Sequence, residues 1–361
     1  MKIIQLIPEL QQGGVEIVVL NLNRELVKRG HQSIVISAGG SLVKTIESDG
    51  GQHITLDLCS KNPLTLPARV HALRTQLRTL RPALIHAHSR VPAWIAHFAN
   101  RTENYPFVTS VHGFNSVSAY SKIMTQGDRV ICVSHPIKTY IQQHYQTPDN
   151  RIDVIHPGVD ATRFDPKKLD TAWIESFKKQ HNLDGKMIVT TVGRITELKD
   201  YKTFIHAIAQ AVKETPNLRG LIVGDARHNK QEYYQKLQQL TRELGVEKQL
   251  LFIAGQTRIA EIYALSDRIV SCSKKPESFG LTLIEALAMN TPVIATHHGG
   301  PLDIIREGEN GFFFEPQQPA ELAKKITDLT PPRCTNLRAD TLDRFGIDRM
   351  IDATLTTYQK L

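Results

Sequence analysis

The chain is poor in the features that mark secreted, membrane-spanning and nucleic-acid-binding proteins. Its four cysteines are far apart and have no paired spacing (Cys59, Cys132, Cys272 and Cys334). Two of them lie in apolar, strand-like runs, which indicates buried thiols in a reducing compartment. No run of about 18 apolar residues occurs, and the apolar part of the N-terminus is too short for a signal peptide. We therefore expect a cytoplasmic protein.

Aromatic residues are also few, at 6%, and no basic cluster has aromatic residues interleaved, which argues against nucleic-acid binding. The net charge is +8, and residues 1–160 carry 16 Lys and Arg against 11 Asp and Glu, or +5. One segment concentrates this charge, with arginines beside apolar residues at helical spacing (Arg69, Arg74, Arg78 and Arg81). Such a helix is either a solvated face or a peripheral contact with an anionic membrane surface.

The length and the pattern of the chain predict two α/β domains. A chain of 361 residues is long for one core. Strand-like runs alternate with helical segments in both halves, which predicts two doubly wound parallel sheets. A segment with Pro and Gly, RIDVIHPGVDATRFDP, indicates the linker. We place the domains at 1–164 and 165–344, and the last segment, 342–361, has a helical pattern.

The most informative stretch is KPESFGLTLIEALAMNTP, in which Glu277 and Glu285 are eight positions apart. The apolar run between them predicts a helix that begins near residues 279–282, where unpaired backbone N–H groups can hold phosphate oxygens. Gly280 permits a close approach of the backbone to a ligand. Glu285 could then accept hydrogen bonds from a ribose diol, while Glu277 faces a sugar. The alternative is an ordinary amphipathic helix with one capping and one surface acid.

One part of the sequence resembles the E-x7-E signature of the retaining family 4 glycosyltransferases. It is the run E-S-F-G-L-T-L-I-E-A-L-A, followed by P-V-I-A-T and the pair Gly299 and Gly300. Further matches follow in the same order along nearly all of the chain. The resemblance implies the GT-B fold, in which two Rossmann-like domains face a cleft. The first domain would bind the acceptor and the second a nucleotide-sugar donor. It also implies that the terminal helix, 345–361, packs back on the first domain.

In the first half, the resemblance assigns roles to a glycine pair and a histidine. Gly13 and Gly14 form a turn that is weak evidence by itself, but in the family this turn approaches the donor phosphates and the acceptor. His112 follows a strand and precedes a glycine, and the family's histidine here reaches the transferred sugar. His88 and Arg90 also follow a strand. They either face the acceptor or are an ordinary loop histidine and a surface arginine.

In the second half, Gly193, Arg194 and Lys199 follow a strand, as in the family's V-G-R…K. A departing nucleoside diphosphate carries about two to three negative charges, which Arg and Lys can neutralise. The alternative is a pair of solvated loop cations. Gly255 lies in the turn where the family's base meets backbone amides. The donor site further includes the helix start, comprising Phe279, Gly280, Leu281 and Thr282.

Two departures from the family pattern are visible. Pro157 stands where the connector usually has Asn, and Ala226 replaces the last glycine of a G-D-G turn, which leaves contact with the base or ribose open there.

The resemblance predicts a retaining transfer by front-face attack, without a protein general base. No DxD-type acidic pair lies at the proposed phosphate site, so we expect metal-independent chemistry and no cofactor. The acceptor would be a glycan or glycolipid, as in bacterial lipopolysaccharide or cell-surface polysaccharide synthesis. The alternatives are a nucleotide-sugar-binding protein without turnover, a GT-B phosphorylase and a sugar-nucleotide epimerase.

Overall fold

The computed structural model describes residues 1–11, 13–226, 231–328 and 330–361, which include every candidate site residue. The chain forms two compact units. Unit 1 comprises Met1–Gly158 and Ile347–Leu361, and unit 2 comprises Val159–Gly346. The first border between the units, after Gly158, lies before the predicted domain border at 164/165. The second border, after Gly346, lies after the predicted end of the second domain at 344.

Unit 1 contains a seven-stranded sheet in the order β3-β2-β1-β4-β5-β6-β7, and all its strand pairs are parallel. Its strands are β1 (Lys2–Leu6), β2 (Gln32–Ser37), β3 (Gln52–Thr55), β4 (Leu84–Ala87), β5 (Phe107–Val111), β6 (Arg129–Cys132) and β7 (Ile152–Val154). The helices between them are α1 (Gly14–Lys28), α2 (Val43–Ser48), α3 (Leu66–Leu80), α4 (Arg90–Asn100) and α5 (His135–Tyr145).

Unit 2 contains a six-stranded parallel sheet in the order β10-β9-β8-β11-β12-β13. Its strands are β8 (Met187–Val192), β9 (Leu218–Val223), β10 (Leu250–Ile253), β11 (Arg268–Ser271), β12 (Val293–Thr296) and β13 (Gly311–Phe314). Its helices are α6 (Thr171–Gln180), α7 (Tyr201–Glu214), α8 (Gln231–Glu243), α9 (Ile259–Ala264), α10 (Leu281–Ala288), α11 (Pro301–Ile304), α12 (Pro319–Thr327) and α13 (Leu337–Phe345).

The predicted α/β class with two doubly wound sheets is confirmed. Central strands are buried along their whole length, as β4, β5 and β12 are, because helices cover both faces of a parallel sheet. Ser134 is the N-cap of α5, and its hydroxyl accepts the Ile137 N–H at 3.3 Å. The short edge strand β7 lies within the segment that the sequence indicated as a linker.

The C-terminal segment is not one helix from 342 onward. Helix α13 ends at Phe345, and a further helix, α14 (Ile347–Gln359), begins after Gly346. Met350, Ile351 and Tyr358 of α14 pack into the apolar core of unit 1. In the part of the chain that the structure describes, no helix is long and apolar enough to cross a membrane.

Candidate active site

The strand order of unit 2 reverses between β8 and β11, because β9 and β10 extend to one side and β12 and β13 to the other. Loops that follow the two central strands diverge at such a point and leave a crevice at the carboxyl edge of the sheet. The loop after β8 carries Lys199 and the loop after β11 carries Glu277. The ammonium group of Lys199 contacts Oε1 of Glu277 as an ion pair. The structure therefore brings two predicted site residues together at this crevice.

Glu277 is held charged by its surroundings. Its side chain is only 13% exposed, and burial by itself would raise the pKa of the carboxyl. The charge of Lys199 and hydrogen bonds from Lys199 and Ser271 outweigh burial, so the pKa lies below its ordinary value. The hydroxyl of Ser271 donates to Oε2 at 3.3 Å. Ser271 was not predicted, since nothing in its sequence context distinguishes it.

The backbone at Glu277 is fixed by the predicted glycine pair. The N–H of Gly300 donates to the Glu277 carbonyl at 2.7 Å, and Gly299 forms a β-bridge with Glu277. A Cβ on Gly300 would lie 2.1 Å from the Cα of Phe279. Gly299 and Gly300 thus permit a backbone approach that no larger residue allows.

Arg194 extends from the same edge of unit 2. Its side chain is exposed and forms no ion pair with any residue in the described ranges. Its backbone is anchored, because the Tyr201 hydroxyl donates to the Gly193 carbonyl at 2.7 Å and lies 3.3 Å from the Arg194 carbonyl. An exposed guanidinium on an anchored loop can bind phosphate oxygens in a bidentate manner.

Helix α10 begins next to Glu277. Gly280 is its N-cap, with a φ of 122° that disfavours residues with a Cβ. Leu281 and Thr282, in the first turn, are half-buried. The first N–H groups of a helix have no intrahelical acceptor, so this end can accommodate an anion. The side chain of Phe279, by contrast, is buried against Phe345, with ring centroids 5.6 Å apart, so only its backbone is available to a ligand.

Glu285 lies just over one turn into α10, and its environment differs from that of Glu277. The hydroxyl of Tyr263 donates to Oε2 of Glu285 at 2.8 Å. Burial raises the pKa of Glu285 to about 7, although the Tyr263 hydrogen bond and the charge of Arg163 act to lower it. Tyr263 is fully buried, and its hydroxyl orients the carboxyl.

The turn after β10 is joined to the turn after β9. The N–H of Gly255 donates to Oδ1 of Asp225 at 2.9 Å, and a Cβ on Gly255 would lie 2.3 Å from Oδ2. The N–H of Gly255 therefore already has an acceptor in this structure. A second contact joins this region to the loop after β8, since a Cβ on Gly224 would lie 2.0 Å from the Gly193 carbonyl oxygen.

In unit 1 the strand order reverses between β1 and β4. His88 follows β4 and His112 follows β5, and Nδ1 of His88 lies 3.1 Å from Nε2 of His112. Burial lowers the pKa of His112 to about 4, and that of His88 well below its ordinary value. Both rings are therefore neutral at neutral pH, and His112 differs from the expected imidazole that titrates near neutrality. As a neutral ring it can still donate or accept one hydrogen bond through Nδ1.

His88 is buried, with only 3% of it accessible. Behind it, Nδ1 of His86 lies 2.7 Å from the Tyr358 hydroxyl and Nε2 lies 2.7 Å from the Ser110 hydroxyl. The contacts of His86 were not predicted from the sequence, because its partners lie on β5 and α14. Nearby, Arg90 donates to the Ser121 hydroxyl at 3.2 Å.

The glycine pair at the start of α1 lies at the same edge of unit 1, since it follows β1. Gly13 is the N-cap with extended backbone, and Gly14 is the first helical residue. A Cβ on Gly13 would lie 2.3 Å from Oε2 of Glu16. The carboxylate of Glu16 therefore lies over the helix start, as expected for an acid beside the positive end of the helix dipole.

The basic helix predicted in the first half exists as α3, but its arginines bind other parts of unit 1. Arg69 is buried and donates to backbone carbonyls, including that of Ser60 at 2.6 Å. Arg74 donates to the carbonyls of Phe98 and Ala99 at the end of α4. Arg78 binds Glu103 at 2.9 Å. These three arginines therefore join α3 to its neighbours within unit 1.

Comparison with known proteins agrees with this architecture. Residues 12–163 match the family model for Glycosyltransferase Family 4, and residues 174–340 match the model for Glycosyl transferases group 1. The chain is 28% identical to D-inositol 3-phosphate glycosyltransferase from Rhodococcus erythropolis, over 96% of this chain and 86% of that protein. The crystal structure of a glycosyltransferase from Rickettsia africae has a TM-score of 0.91 and 28% identity, over 99% of this chain and 98% of that one.

HepE from Anabaena, in complex with UDP and glucose, shares the fold at a TM-score of 0.88 and 23% identity, with both chains covered completely. The two family models together account for most of both units, so the chain belongs to the GT-B glycosyltransferases of group 1 and family 4.

Proposed function

We propose that the protein is a retaining glycosyltransferase that uses a nucleotide-diphosphate sugar as donor. The observation that carries this proposal is the contact of Lys199 with Glu277 at the strand-order reversal of unit 2, with Arg194 exposed on the same loop. Arg194, Lys199 and the start of α10 would stabilise the departing diphosphate. Preorganised charge of this kind is usually the largest contribution to catalysis. The known complex of HepE with UDP and glucose is consistent with this class of donor.

In the proposed reaction, the acceptor hydroxyl attacks the anomeric carbon from the face that the diphosphate leaves. The bond from the anomeric carbon to the phosphate oxygen breaks, and a bond to the acceptor oxygen forms. The hydroxyl proton passes to a phosphate oxygen, so no protein base is required. Glu277 would hold the hydroxyls of the sugar, Glu285 the ribose, and His112 a hydroxyl of the transferred sugar. Lys and Arg neutralise the diphosphate, so the transfer is proposed to need no metal or cofactor.

The proposed acceptor is a glycan or glycolipid bound by unit 1, where Gly13, Gly14 and His112 lie at one edge of the sheet. Bacterial lipopolysaccharide or cell-surface polysaccharide synthesis would provide such an acceptor. We propose that the protein acts in the cytoplasm, peripherally at the inner face of the membrane.

The proposal can be tested in two steps. Thermal-shift measurements with UDP, GDP and ADP identify the nucleotide, because a ligand of the folded state raises the apparent stability. Release of that nucleoside diphosphate is then followed with a panel of sugar donors. Arg194→Ala is expected to lower turnover by about 100-fold or more with an unchanged melting temperature. Arg242→Ala, at an exposed position of α8, is the matched control.

Two outcomes would contradict the proposal. Near-normal turnover in Arg194→Ala would remove the assigned role of the guanidinium. Tight nucleotide binding without release from any sugar donor would favour the alternative, a nucleotide-sugar-binding protein with this fold.

A further inference from the structure

Unit 1 contains a concave site that is lined by none of the residues given a role in the proposed sugar transfer above. It has a volume of about 310 Å³ and lies between the first turn of α3 and one face of α4. Its walls are largely apolar and aromatic and include Leu66, Trp94, Ile95, Phe98 and Tyr120. We call this site the α3–α4 cleft. Its volume lies at the lower end of the range typical of small-molecule pockets.

The cleft opens at the ligand-binding edge of the sheet. Helix α4 begins at Arg90, directly after β4 ends at Ala87, and α3 begins after the loop that follows β3. Both helix starts therefore lie at the carboxyl edge of the sheet, which is also the edge of His88 and His112. A molecule in the cleft would lie at the same edge as the proposed acceptor site.

The floor of the cleft carries a buried cation. Arg69 is 6% exposed and donates to the carbonyls of Ser60 at 2.6 Å and Asn62 at 2.9 Å. None of the acids in the described part of the chain forms an ion pair with it. The pKa of Asp57 is lowered by hydrogen bonds from the N–H groups of Ser60 and Cys59 and by the charge of Arg69. Arg69 is thus buried without a direct ion pair, and an anionic ligand group would supply a close, hydrogen-bonded counter-charge.

Further positive charge lies at the rim. Lys61 is exposed and lines the cleft. The guanidinium carbon of Arg90 lies 5.5 Å from the ring centroid of Tyr120. Among the lining residues that the structure describes, none is acidic. The cleft is thus complementary to a ligand that combines an apolar part with an anionic group.

Apolar surface continues outside the cleft. Leu64 is 88% exposed, between the lining residues Pro63 and Leu66, and Tyr120 is 40% exposed. Val117, on the same loop as Tyr120, is 55% exposed. Exposed apolar groups beside a concave site favour an occupant with an apolar chain longer than the cleft itself.

We infer that the α3–α4 cleft binds the apolar chain and the adjoining anionic group of an amphiphilic acceptor, an inference that rests on the proposed glycosyl transfer. The chain contacts the aromatic wall, and Arg69 and Lys61 bind the anionic group. The acceptor class is therefore a lipid-linked anion, such as a phosphorylated lipid that carries the hydroxyl to be glycosylated. A polar glycan without a lipid would leave the aromatic wall uncovered.

The two tryptophans of the chain, Trp94 and Trp173, make a direct binding test possible. In Trp173→Phe, the remaining tryptophan lines the cleft. This protein is titrated with dodecyl phosphate below its critical micelle concentration, with dodecyl maltoside and with inorganic phosphate. We expect a saturable change in Trp94 fluorescence with dodecyl phosphate. The affinity for dodecyl maltoside should be about 10-fold lower than that for dodecyl phosphate, and an equal concentration of inorganic phosphate should cause no change.

Cleft variants in the same background locate the site. Leu66→Asp is expected to weaken dodecyl phosphate binding by about 10-fold or more, because it places a like charge beside the anionic group. Lys61→Gln is expected to weaken it about 3-fold without changing the affinity for dodecyl maltoside. Lys44→Gln, at an exposed position of α2, is the matched control and should leave both affinities unchanged.

The inference is overturned by a response that appears only above the micelle concentration, by equal affinity for the phosphate and the maltoside, or by a Leu66→Asp variant that binds normally. A UDP thermal shift on the same protein separates this result from the proposed function. Nucleotide binding without dodecyl phosphate binding overturns the cleft inference alone. Dodecyl phosphate binding without binding of any nucleotide contradicts the proposed transfer.

Discussion

Two carboxylates that are eight positions apart in the sequence have opposite environments. The Lys199 ion pair and the Ser271 hydroxyl outweigh burial at Glu277 and lower its pKa. At Glu285 burial prevails over the Tyr263 hydrogen bond and raises the pKa to about 7. Glu277 therefore remains charged at neutral pH, whereas Glu285 changes its charge there. The proposed roles agree with this difference, because a ribose diol can be held by either form of a carboxyl group.

Glu285→Gln is expected to stabilise the protein in a pH-dependent manner. Because the folded pKa is above the unfolded value of about 4.3, the folded state binds the proton more tightly. Wild-type stability therefore falls as the pH rises from about 4.5 to 7 and levels off above that range. Urea unfolding should show an advantage for Glu285→Gln that grows over this range, to about 2 kcal/mol, since partial exposure screens part of the shift. A constant advantage at every pH would contradict this.

Glu277→Gln should have the opposite effect. It removes the counter-charge of Lys199 within a largely buried pair, so we expect a loss of about 1–2 kcal/mol in the free energy of unfolding at neutral pH. The folded pKa of Glu277 is lowered, so its contribution is present above the unfolded pKa and disappears as the pH falls through the folded value. The control is Glu232→Gln, which removes an exposed pair with Lys236 and should cause no measurable change. Equal effects of the two variants would contradict the prediction.

At the scale of elements, the candidate donor site depends on the close packing of two connections, the turn after β12 and the loop after β11. The turn between β12 and α11 carries Gly299 and Gly300, and it contacts the backbone of residues 277–279. The position of Glu277 is therefore fixed by a neighbouring connection, not only by the loop that carries it.

Gly300→Ala is expected to destabilise unit 2 by about 1–3 kcal/mol, because the added methyl group overlaps the backbone of Phe279. Urea unfolding monitored by Trp173 in a Trp94→Phe background measures this effect in unit 2. Gly308→Ala is the control, since its methyl group meets nothing within 4 Å, although its φ of 75° carries some strain. We expect a smaller loss there, and equal losses would show that packing against Phe279 is unimportant.

At the scale of the whole molecule, the chain passes from unit 1 to unit 2 after Gly158 and returns after Gly346. The final helix, α14, completes the core of unit 1. The buried hydrogen bond between Tyr358 and His86 joins it to β4. Unit 1 therefore cannot be completed until the last residues of the chain are available.

Tyr358→Phe is expected to lower the stability of unit 1 by about 1–2 kcal/mol, because it leaves Nδ1 of His86 without its buried partner. Denaturant unfolding monitored by Trp94 fluorescence in the Trp173→Phe background measures this change in the stability of unit 1. The matched control is Tyr234→Phe in unit 2, because the hydroxyl of Tyr234 has no partner among the residues described. A Trp94 transition that is unchanged in Tyr358→Phe would contradict the assigned role of this hydrogen bond.

The sequence by itself determined the α/β class, the alternation of strands and helices, and the helix that begins beside Glu277. These features depend on local patterns, namely apolar periodicity, N-cap residues and turn glycines. Each of these patterns can be recognised within one short segment of the sequence. The break between α13 and α14 was not predicted, although Gly346, a poor helix former, marks it in the sequence as the C-cap of α13.

Only the tertiary structure decided the partners and the protonation states of the candidate site. Lys199 and Glu277 are 78 positions apart, Tyr263 and Glu285 are 22 apart, and His86 and Tyr358 are 272 apart. No local pattern specifies such pairs. A pKa is set by burial and by charges that are near in space, so Glu277, Glu285 and His112 acquire their pKa values only when the parallel sheets bring distant loops to one edge.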